Sequence, residues 1–555
     1  MIDMHACICY TVYMKKKQVL TEKELSSLSK QQLIELTLSL QTKLNDTVDD
    51  YNALCKRFFS SKSEKVHPGQ MSLFNEAELV EDTSSEEEKK EPVLEVSKKK
   101  KKSARNSRLR NVEVDEEHIT REDIVCPECG KKMQEIKPKV IEYLTYKPAK
   151  WIMKRYIVHQ YTCHECNDKN LDMKVYEGDT SKLPARLIDG SFVTASVVAN
   201  IACNKFLLGL PYYRQEKDLK SRGLPFSRQN LCRWVLKSSE LYLQPVYDRM
   251  HKDLLECGHL NMDETELTCL EEADNKTNYI WAAMSGQYEE NQMALYFYSA
   301  NRKYNNVNRI LGDHYEGVIQ SDGYQAYDKY TGTDQKAGCW AHARRRVYEA
   351  ASTNGDLFKR LGNMSTKEAK ETLFKENPSF ASQMKLLAKI NLLFENEQRY
   401  KDMTAEERLA HRKEDDESIL SDIKTLVDEM TNSFLPSGKT GKALTYITNQ
   451  WEPLTYFMKD GQVPLSNNIT EREAIKPVVI SRKNFLFADT ISGAENSMTW
   501  FSLLISAKLN HLNPEKYAVY VLEQLSTYGL HDDVIERILP YSKNLPAELK
   551  AAACL

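Results

Sequence analysis

Apolar residues along this chain change their spacing from one stretch to the next, and each change marks a different kind of element. From 21 to 60, Leu25, Leu28, Leu33, Leu36, Leu40, Leu44, Tyr51 and Leu54 recur mostly at three, four and seven among Glu, Lys and Gln. That spacing predicts a helix with a narrow apolar seam. Two readings fit the seam: a short coiled coil that pairs protomers, or an amphipathic helix lying on the protein's own core. Between 76 and 119 the pattern gives way to an acidic run, EDTSSEEEKKE, and a basic one, KKKKKSARNSRLR. With almost no aromatics, this segment reads as a disordered charged linker whose basic half suits phosphates.

Residues 185–250 carry a helical period. Within them LPYYRQEKDLKSRGLPFSRQNLCRWVLKSSE predicts a helix, a turn at 223–225 and a second helix opened by Ser227. Arg228, Gln229, Asn230 and Arg233 fall near the start of that second helix, where helix-turn-helix proteins meet base edges; a plain helical hairpin has the same pattern. From 256 alternation takes over. GHLNMDETELTCLE, NYIWAAMSG and MALYFYSAN read as successive strands, followed by a helix over 305–313 and a fourth run, GVIQSDGYQAYD. Three antiparallel strands, a helix and a parallel strand form the opening order of an RNase-H-like core. WFSLLISA at 500–507 suits a buried helix, and no stretch reaches the roughly 20 apolar residues of a membrane span.

Composition narrows the class. The 555 residues allow several domains, and 28% charged residues with 41% hydrophobic ones belong to soluble proteins. A net charge of −3 means that any nucleic-acid contact rests on local patches. MIDMHACICYTVYMKKK lacks the form of a secretory signal and reads as an extension from an early start codon, Met14 serving equally well. The expected compartment is the cytoplasm, so the thirteen cysteines are thiols or metal ligands. Four of them are arranged as two Cys-x-x-Cys knuckles, Cys126 with Cys129 and Cys163 with Cys166. Such pairs grip a tetrahedral Zn²⁺ from two sides, and a closed four-thiolate shell is structural. The zinc-binding domain is placed at 120–175, with ribbon strands between the knuckles.

PLSNNITEREAIKPVVISRKNFLF, at 464–487, has a local explanation: Asn468 caps a helix, Glu471 closes a capping box three residues later, and Pro477 ends the segment. Two aspartates offer another. Asp263 lies in the first strand run and Asp322 at the end of the fourth, where a strand's carboxyl edge faces a site. Asp322-Gly323 also fits a turn. Glu264 and Glu266 compete with Asp263, although alternation sends Leu260 and Met262 to the core and Asp263 to the opposite face. Asp263, Asp322 and Glu471 together make a cluster that repulsion opposes unless cations hold it. Carboxylates are hard ligands, so those cations are Mg²⁺ or Mn²⁺, and two of them suit an in-line phosphoryl displacement. Arg472, Lys476, Arg482 and Lys483 then meet phosphates. In GCWAHARRR, His342 positions a phosphate or water and Arg344, Arg345 and Arg346 bind DNA backbone, or else Cys339 and Trp340 pack a core beneath a solvated face. SGKTGKA, at 437–443, is not a phosphate loop: Ser433 stands where glycine is required.

These strings resemble the DDE transposases of bacterial insertion sequences, specifically the insertion-sequence-sixty-six family. KRFFSSKSEKVHPGQMSLFNEAE, the paired Cys-x-x-Cys, LPYYRQE, FSRQNL, MDET, IQSDGY, GCWAHARRR, PLSNNITERE, SRKNFLFA and AKLNHLNPEKY carry the resemblance nearly end to end. It implies that Asp263, Asp322 and Glu471 are the catalytic triad, and that an RNase-H-like core over 256–350 and 461–530 is interrupted by a helical insertion, which fits the charged helical pattern of 355–460. The implied fold class is multidomain α+β: coiled-coil-like helix, zinc ribbon, helix-turn-helix-like region and RNase-H-like catalytic core. The implied activity is metal-dependent hydrolysis at the element's ends, followed by attack of the freed 3′-hydroxyl on target DNA. Double-stranded DNA, a second protomer and small accessory proteins of the same element are the implied partners. Ser466 departs from the family, whose members often carry Asp there. The rival reading is a noncatalytic DNA-binding regulator derived from a transposase; a nuclease that cuts without joining is a third.

Overall fold

The computed structural model describes residues 185–550 apart from 273–276 and 365, with Trp151, Ile157, His159 and two short strands, β1 (Gln160–Thr162) and β2 (Val175–Glu177). The predicted seam at 21–60, the linker at 76–119 and Cys126, Cys129, Cys163 and Cys166 lie outside the described residues. β1 and β2 pair antiparallel, Tyr161 opposite Tyr176.

Four helices open the described body: α1 (Ala195–Phe206), α2 (Tyr212–Ser221), α3 (Arg228–Ser238) and α4 (Gln244–Leu255). The predicted hairpin is α2 with α3. Gly223 turns between them with φ +80°, a conformation side chains disfavour. The Ser227 hydroxyl accepts the Asn230 N–H at 3.3 Å and so caps α3. Leu231, Trp234 and Val235 are buried in the same apolar core as the sheet that follows, while Arg228, Gln229 and Arg233 are exposed.

The sheet is mixed. β3 (His259–Leu267), β4 (Asn278–Ser285), β5 (Ala294–Ser299), β6 (Val318–Gln320) and β7 (Lys336–Ala337) lie in the order β5-β4-β3-β6-β7. The first three in sequence are antiparallel, and β6 and β7 join in parallel after the helix α5 (Asn305–Leu311). All three long strands fall within the runs that alternation predicted. Leu260 and Met262 enter the core as expected, but His259 and Asn261 on the other face are buried as well. One face of β3 is thus apolar and covered, the other polar and covered.

A second core forms beside the sheet. Trp340, Ala343 and Val347 of α6 (Trp340–Ala351) pack with Leu386 and Ile390 of α7 (Pro378–Arg399), Ile423 and Val427 of α8 (Ala405–Thr431), and Leu444 and Ile447 of α9 (Lys439–Asn449). The chain then returns to the sheet through α10 (Lys476–Phe485), α11 (Ile491–Leu509) and α12 (Pro514–Tyr528). α11 contains the WFSLLISA run, buried throughout. Its serines serve the sheet edge: Ser506 and Ser502 hydroxyls accept the Ala294 and Tyr296 N–H groups at 3.0 Å each, leaving fewer unpaired donors on β5. Among the described residues no helix is long and apolar enough to cross a membrane.

Candidate active site

Strand register brings the two aspartates together. β3 and β6 run parallel, and their last paired residues are Asn261 and Gln320. Asp263 and Asp322 each stand two residues further on, Asp263 still within β3 and Asp322 just past the end of β6, near enough for the charge of Asp322 to act on Asp263. Asp322 opens a turn: its Oδ1 accepts the Tyr324 N–H at 2.9 Å, and Gly323 adopts φ +76°. The Tyr446 hydroxyl, from α9, donates to the Asp322 carbonyl at 2.9 Å. Asp263 is half-buried, and its Oδ1 accepts the Glu264 N–H at 2.7 Å. Desolvation in this cleft, with the charges of Glu264, Asp322 and Glu471 added, pushes its pKa up to about 8.

The competing carboxylates have other surroundings. Glu264 points to the apolar face, where Arg302 donates through Nε at 2.6 Å and also through Nη2, and the Tyr327 hydroxyl donates as well. Burial still raises its pKa, and the Arg302 guanidinium in turn lies 3.7 Å over the Tyr324 ring. Glu266 is exposed.

Glu471 does not cap its helix. The N-cap of the short turn Asn468–Thr470 is Asn467, one residue earlier than expected, and Asn467 makes no side-chain capping bond. Nor does Pro477 end the segment. A π-helical turn, Glu471–Ile475, runs directly into α10, with Pro477 in its first turn. Proline has no N–H for an α-helical bond to the Glu473 carbonyl, and the Tyr296 hydroxyl takes the Ala474 carbonyl at 2.7 Å, so the wider turn is accommodated. A second π turn, Ser239–Leu243, likewise precedes Pro245.

The Glu471 side chain points instead at α6. His342 Nε2 lies 3.1 Å from Oε1, and Arg345 Nη2 donates to Oε2 at 3.1 Å. These two residues lie three apart, on the face of α6 opposite Trp340, Ala343 and Val347. The hydrogen bond from His342, aided by Arg345 and opposed by burial, holds Glu471 down at about 2. Burial would lower His342, but Cys339 and Glu471 outweigh it and push the imidazole up to about 10.

The other predicted contacts divide. Arg482 reaches the Thr265 hydroxyl at 3.3 Å, beside the aspartate strand, and Arg472 pairs with Glu473 at 3.0 Å. Lys483 is exposed. Arg344 turns toward α7 beside the second core, donating to Asn391 at 2.6 Å. Arg233 donates to Asn230 at 2.8 Å on the outer face of α3. Sequence reasoning passed over Arg302, Tyr324, Tyr327 and Tyr446. Arg302 and Tyr446 lie on other elements with no local pattern, while Tyr324 and Tyr327 stand in the Asp322 run itself, where nothing local records that they reach Asp322 and Glu264. Sequence reasoning also passed over Asn261 and Gln320, which counting back two from each aspartate finds.

Among the described residues no three His, Cys, Asp or Glu side chains are gathered closely enough to hold a metal ion. The donors nonetheless suit one: Asp263 and Asp322 are hard oxygen ligands, and the raised proton affinity of Asp263 is the penalty a divalent cation relieves. Glu471, within electrostatic reach of Asp263, is held on His342 and Arg345.

Residues 190–496 match the model of the transposase IS66 family, and residues 123–167 match the zinc-finger binding domain of transposase IS66. An uncharacterized protein of Sinorhizobium fredii, y4jD, is 26% identical over 459 residues, covering 79% of this chain and 83% of its own. Two more from that organism are similar: y4hP at 24% over 73% of this chain and 71% of its own, and y4qI at 28% over 65% and 64%.

Proposed function

The chain belongs to the IS66 transposase family, and from that premise we propose that it is a DDE transposase whose catalytic carboxylates are Asp263, Asp322 and Glu471. The observation that carries this reading is the parallel register of β3 and β6, which ends two residues before each aspartate and leaves Asp263 within electrostatic reach of Asp322 and Glu471, while the turn bearing Glu471 packs on β3. The strand order, three antiparallel and two parallel, supports an RNase-H-like core over 256–350 and 461–530, with the α7–α9 region as its helical insertion.

Asp263, Asp322 and Glu471 would hold Mg²⁺ or Mn²⁺, which when bound supplies activation of the attacking oxygen and neutralisation of charge at the transferring phosphoryl group. The protein's own groups orient and bind. Tyr324 and Tyr446 fix the Asp322 turn by its side chain and its carbonyl. Arg302 and Tyr327 keep Glu264 out of the cleft. His342 and Arg345 hold Glu471 ionised, and both cations can turn to a DNA phosphate when the substrate enters. Arg472, Arg482 and Lys483 line the same helix for the backbone, and exposed Arg228, Gln229 and Arg233 with Asn230 read the element's end. The zinc-finger match supports Zn²⁺ on Cys126, Cys129, Cys163 and Cys166. The working species is a dimer or larger assembly on two DNA ends, served by small accessory proteins.

One observation favours the rival, a noncatalytic DNA-binding regulator: Glu471 is engaged with α6 rather than with the aspartates. Cleavage and joining of a labelled end fragment in Mg²⁺ decides between them. The transposase reading expects both steps, each lost in Asp322→Ala and Glu471→Ala with binding retained; binding without cutting in wild type establishes the regulator.

A further inference from the structure

The turn bearing Glu471 packs on the strand bearing Asp263, and each segment carries a buried amide that lacks a partner. Asn261 is fully buried on β3, on the face that carries Asp263, and among the described residues neither atom of its side-chain amide has a hydrogen-bond partner. Its register partner Gln320, also buried, is half satisfied: its amide nitrogen donates to the Gly338 and Pro464 carbonyls at 3.1 and 2.8 Å, while its Oε1 is unpaired among the described residues. Asn467 is fully buried too. Its carbonyl accepts the Thr470 and Glu471 N–H groups at 2.9 and 3.3 Å, so its backbone begins the turn. A cap side chain ordinarily takes one of the first helical N–H groups. That of Asn467 is turned inward instead, both atoms unpaired, and the Thr470 hydroxyl beside it is buried and unpaired as well. Residues 468–470 pack on β3.

Unpaired buried amides cost stability, and native interiors hold few of them. Two of them, on the segments that bear Asp263 and Glu471, are the mark of a site that trades stability for placement. We propose that Asn261 and Asn467 are positioning residues, the polar footing on which the aspartate strand seats the Glu471 turn when Glu471 leaves His342 and Arg345. The proposal rests on the reading of Asp263, Asp322 and Glu471 as the catalytic set.

The test uses Asn261→Leu and Asn467→Leu, singly and together, in the full chain, with three readouts: thermal midpoint, end-fragment binding and Mn²⁺-dependent cleavage. The midpoint is expected to hold or rise, because the unpaired amides are gone. Binding is expected to hold. Cleavage is expected to fall by about tenfold or more in each single variant, and no further in the double, because both act through one placement. Asn467→Ser keeps a polar group at the turn and is expected to recover part of the rate. Leu variants that cut within about threefold of wild type overturn the proposal while leaving the transposase reading intact. So does a midpoint lowered in both Leu variants with no recovery in Asn467→Ser, which makes the amides ordinary structure. A wild type that binds but never cuts overturns the catalytic reading, and the pair then has no reaction to serve.

Discussion

Glu471 Oε1 lies 3.1 Å from His342 Nε2, and through that contact each residue holds the other's charge. The carboxylate is depressed from 4.5 to about 2, so its stabilising contribution is complete above 4.5 and is lost as pH falls toward 2. The imidazole is raised from 6.5 to about 10, so its contribution is complete below 6.5 and is lost as pH rises toward 10. The pair is therefore strongest between those two ordinary values. His342→Ala is expected to cost on the order of 1 to 2 kcal/mol near pH 6, after allowance for partial solvent exposure. Denaturant titrations across pH check this: the gap to wild type narrows toward both extremes, and a gap of constant size refutes the coupling.

Divalent cations should stabilise the fold through Asp263. A carboxyl held at about 8 is largely protonated at neutral pH and must release that proton to serve as a ligand. The Mn²⁺-induced rise in thermal midpoint is thus expected to grow between pH 6 and pH 8.5 and to vanish in Asp322→Asn. Without metal the sign reverses. A raised carboxyl loses stability as pH climbs from 3.8 toward 8, so Asp263→Asn is expected to be more stable than wild type at pH 8 and to cut nothing.

Arg302→Met leaves the Glu264 carboxylate buried without its cation. Breaking a buried pair this way costs about 3 to 5 kcal/mol, and the partial exposure of Arg302 places the expectation near the lower figure, about 3 kcal/mol. Tyr327→Phe removes one hydrogen bond from the same carboxylate and should cost about 1 kcal/mol. Equilibrium denaturation of both variants measures these values. Equal costs would mean that Arg302 does not carry the pairing.

The arginines should separate by their surroundings. Arg228→Ala and Arg233→Ala are expected to weaken end-fragment binding and to lower the slope of log affinity against log salt by about 1 for each DNA phosphate left without its cation. Arg344→Ala, whose guanidinium is engaged by Asn391 of α7 beside the second core, is expected to lower the thermal midpoint and leave that slope alone. Binding measured over a salt series distinguishes the two behaviours.

Periodic elements were legible because burial writes them into the sequence. Alternation located β3, β4 and β5, and Ser227 marked the start of α3. The buried run at 500–507 gave α11, though not the use of Ser502 and Ser506 as acceptors for the sheet edge. The nearness of Asp263 to Asp322 followed from strand assignment, since the parallel register ends two residues before each of them. Asn468 and Glu471 misled for a physical reason. Their spacing meets the demands of a capping box, but the deciding contacts come from His342 and Arg345, on a helix more than a hundred residues away in sequence. Pro477 misled similarly, because a π turn ahead of a proline lets a helix pass where an α-helix would stop. Local pattern holds no record of Arg302 reaching Glu264 from another strand's end.

Tyr446 and Gln450, at the end of α9, touch the turn that holds Asp322: one donates to its carbonyl, and the other lies against Gly323, where a methyl group would come within 2.9 Å of it. The helical segment between the two halves of the core is therefore not an interchangeable cassette. Exchanging it for a relative's, or trimming it to a short connector, would remove the outer wall of the aspartate turn and the seat of α6 with its histidine and arginine. The inserted helices thus act on the acidic turn as a buttress, and a change in either has to be matched by the other to keep Asp322 where it stands.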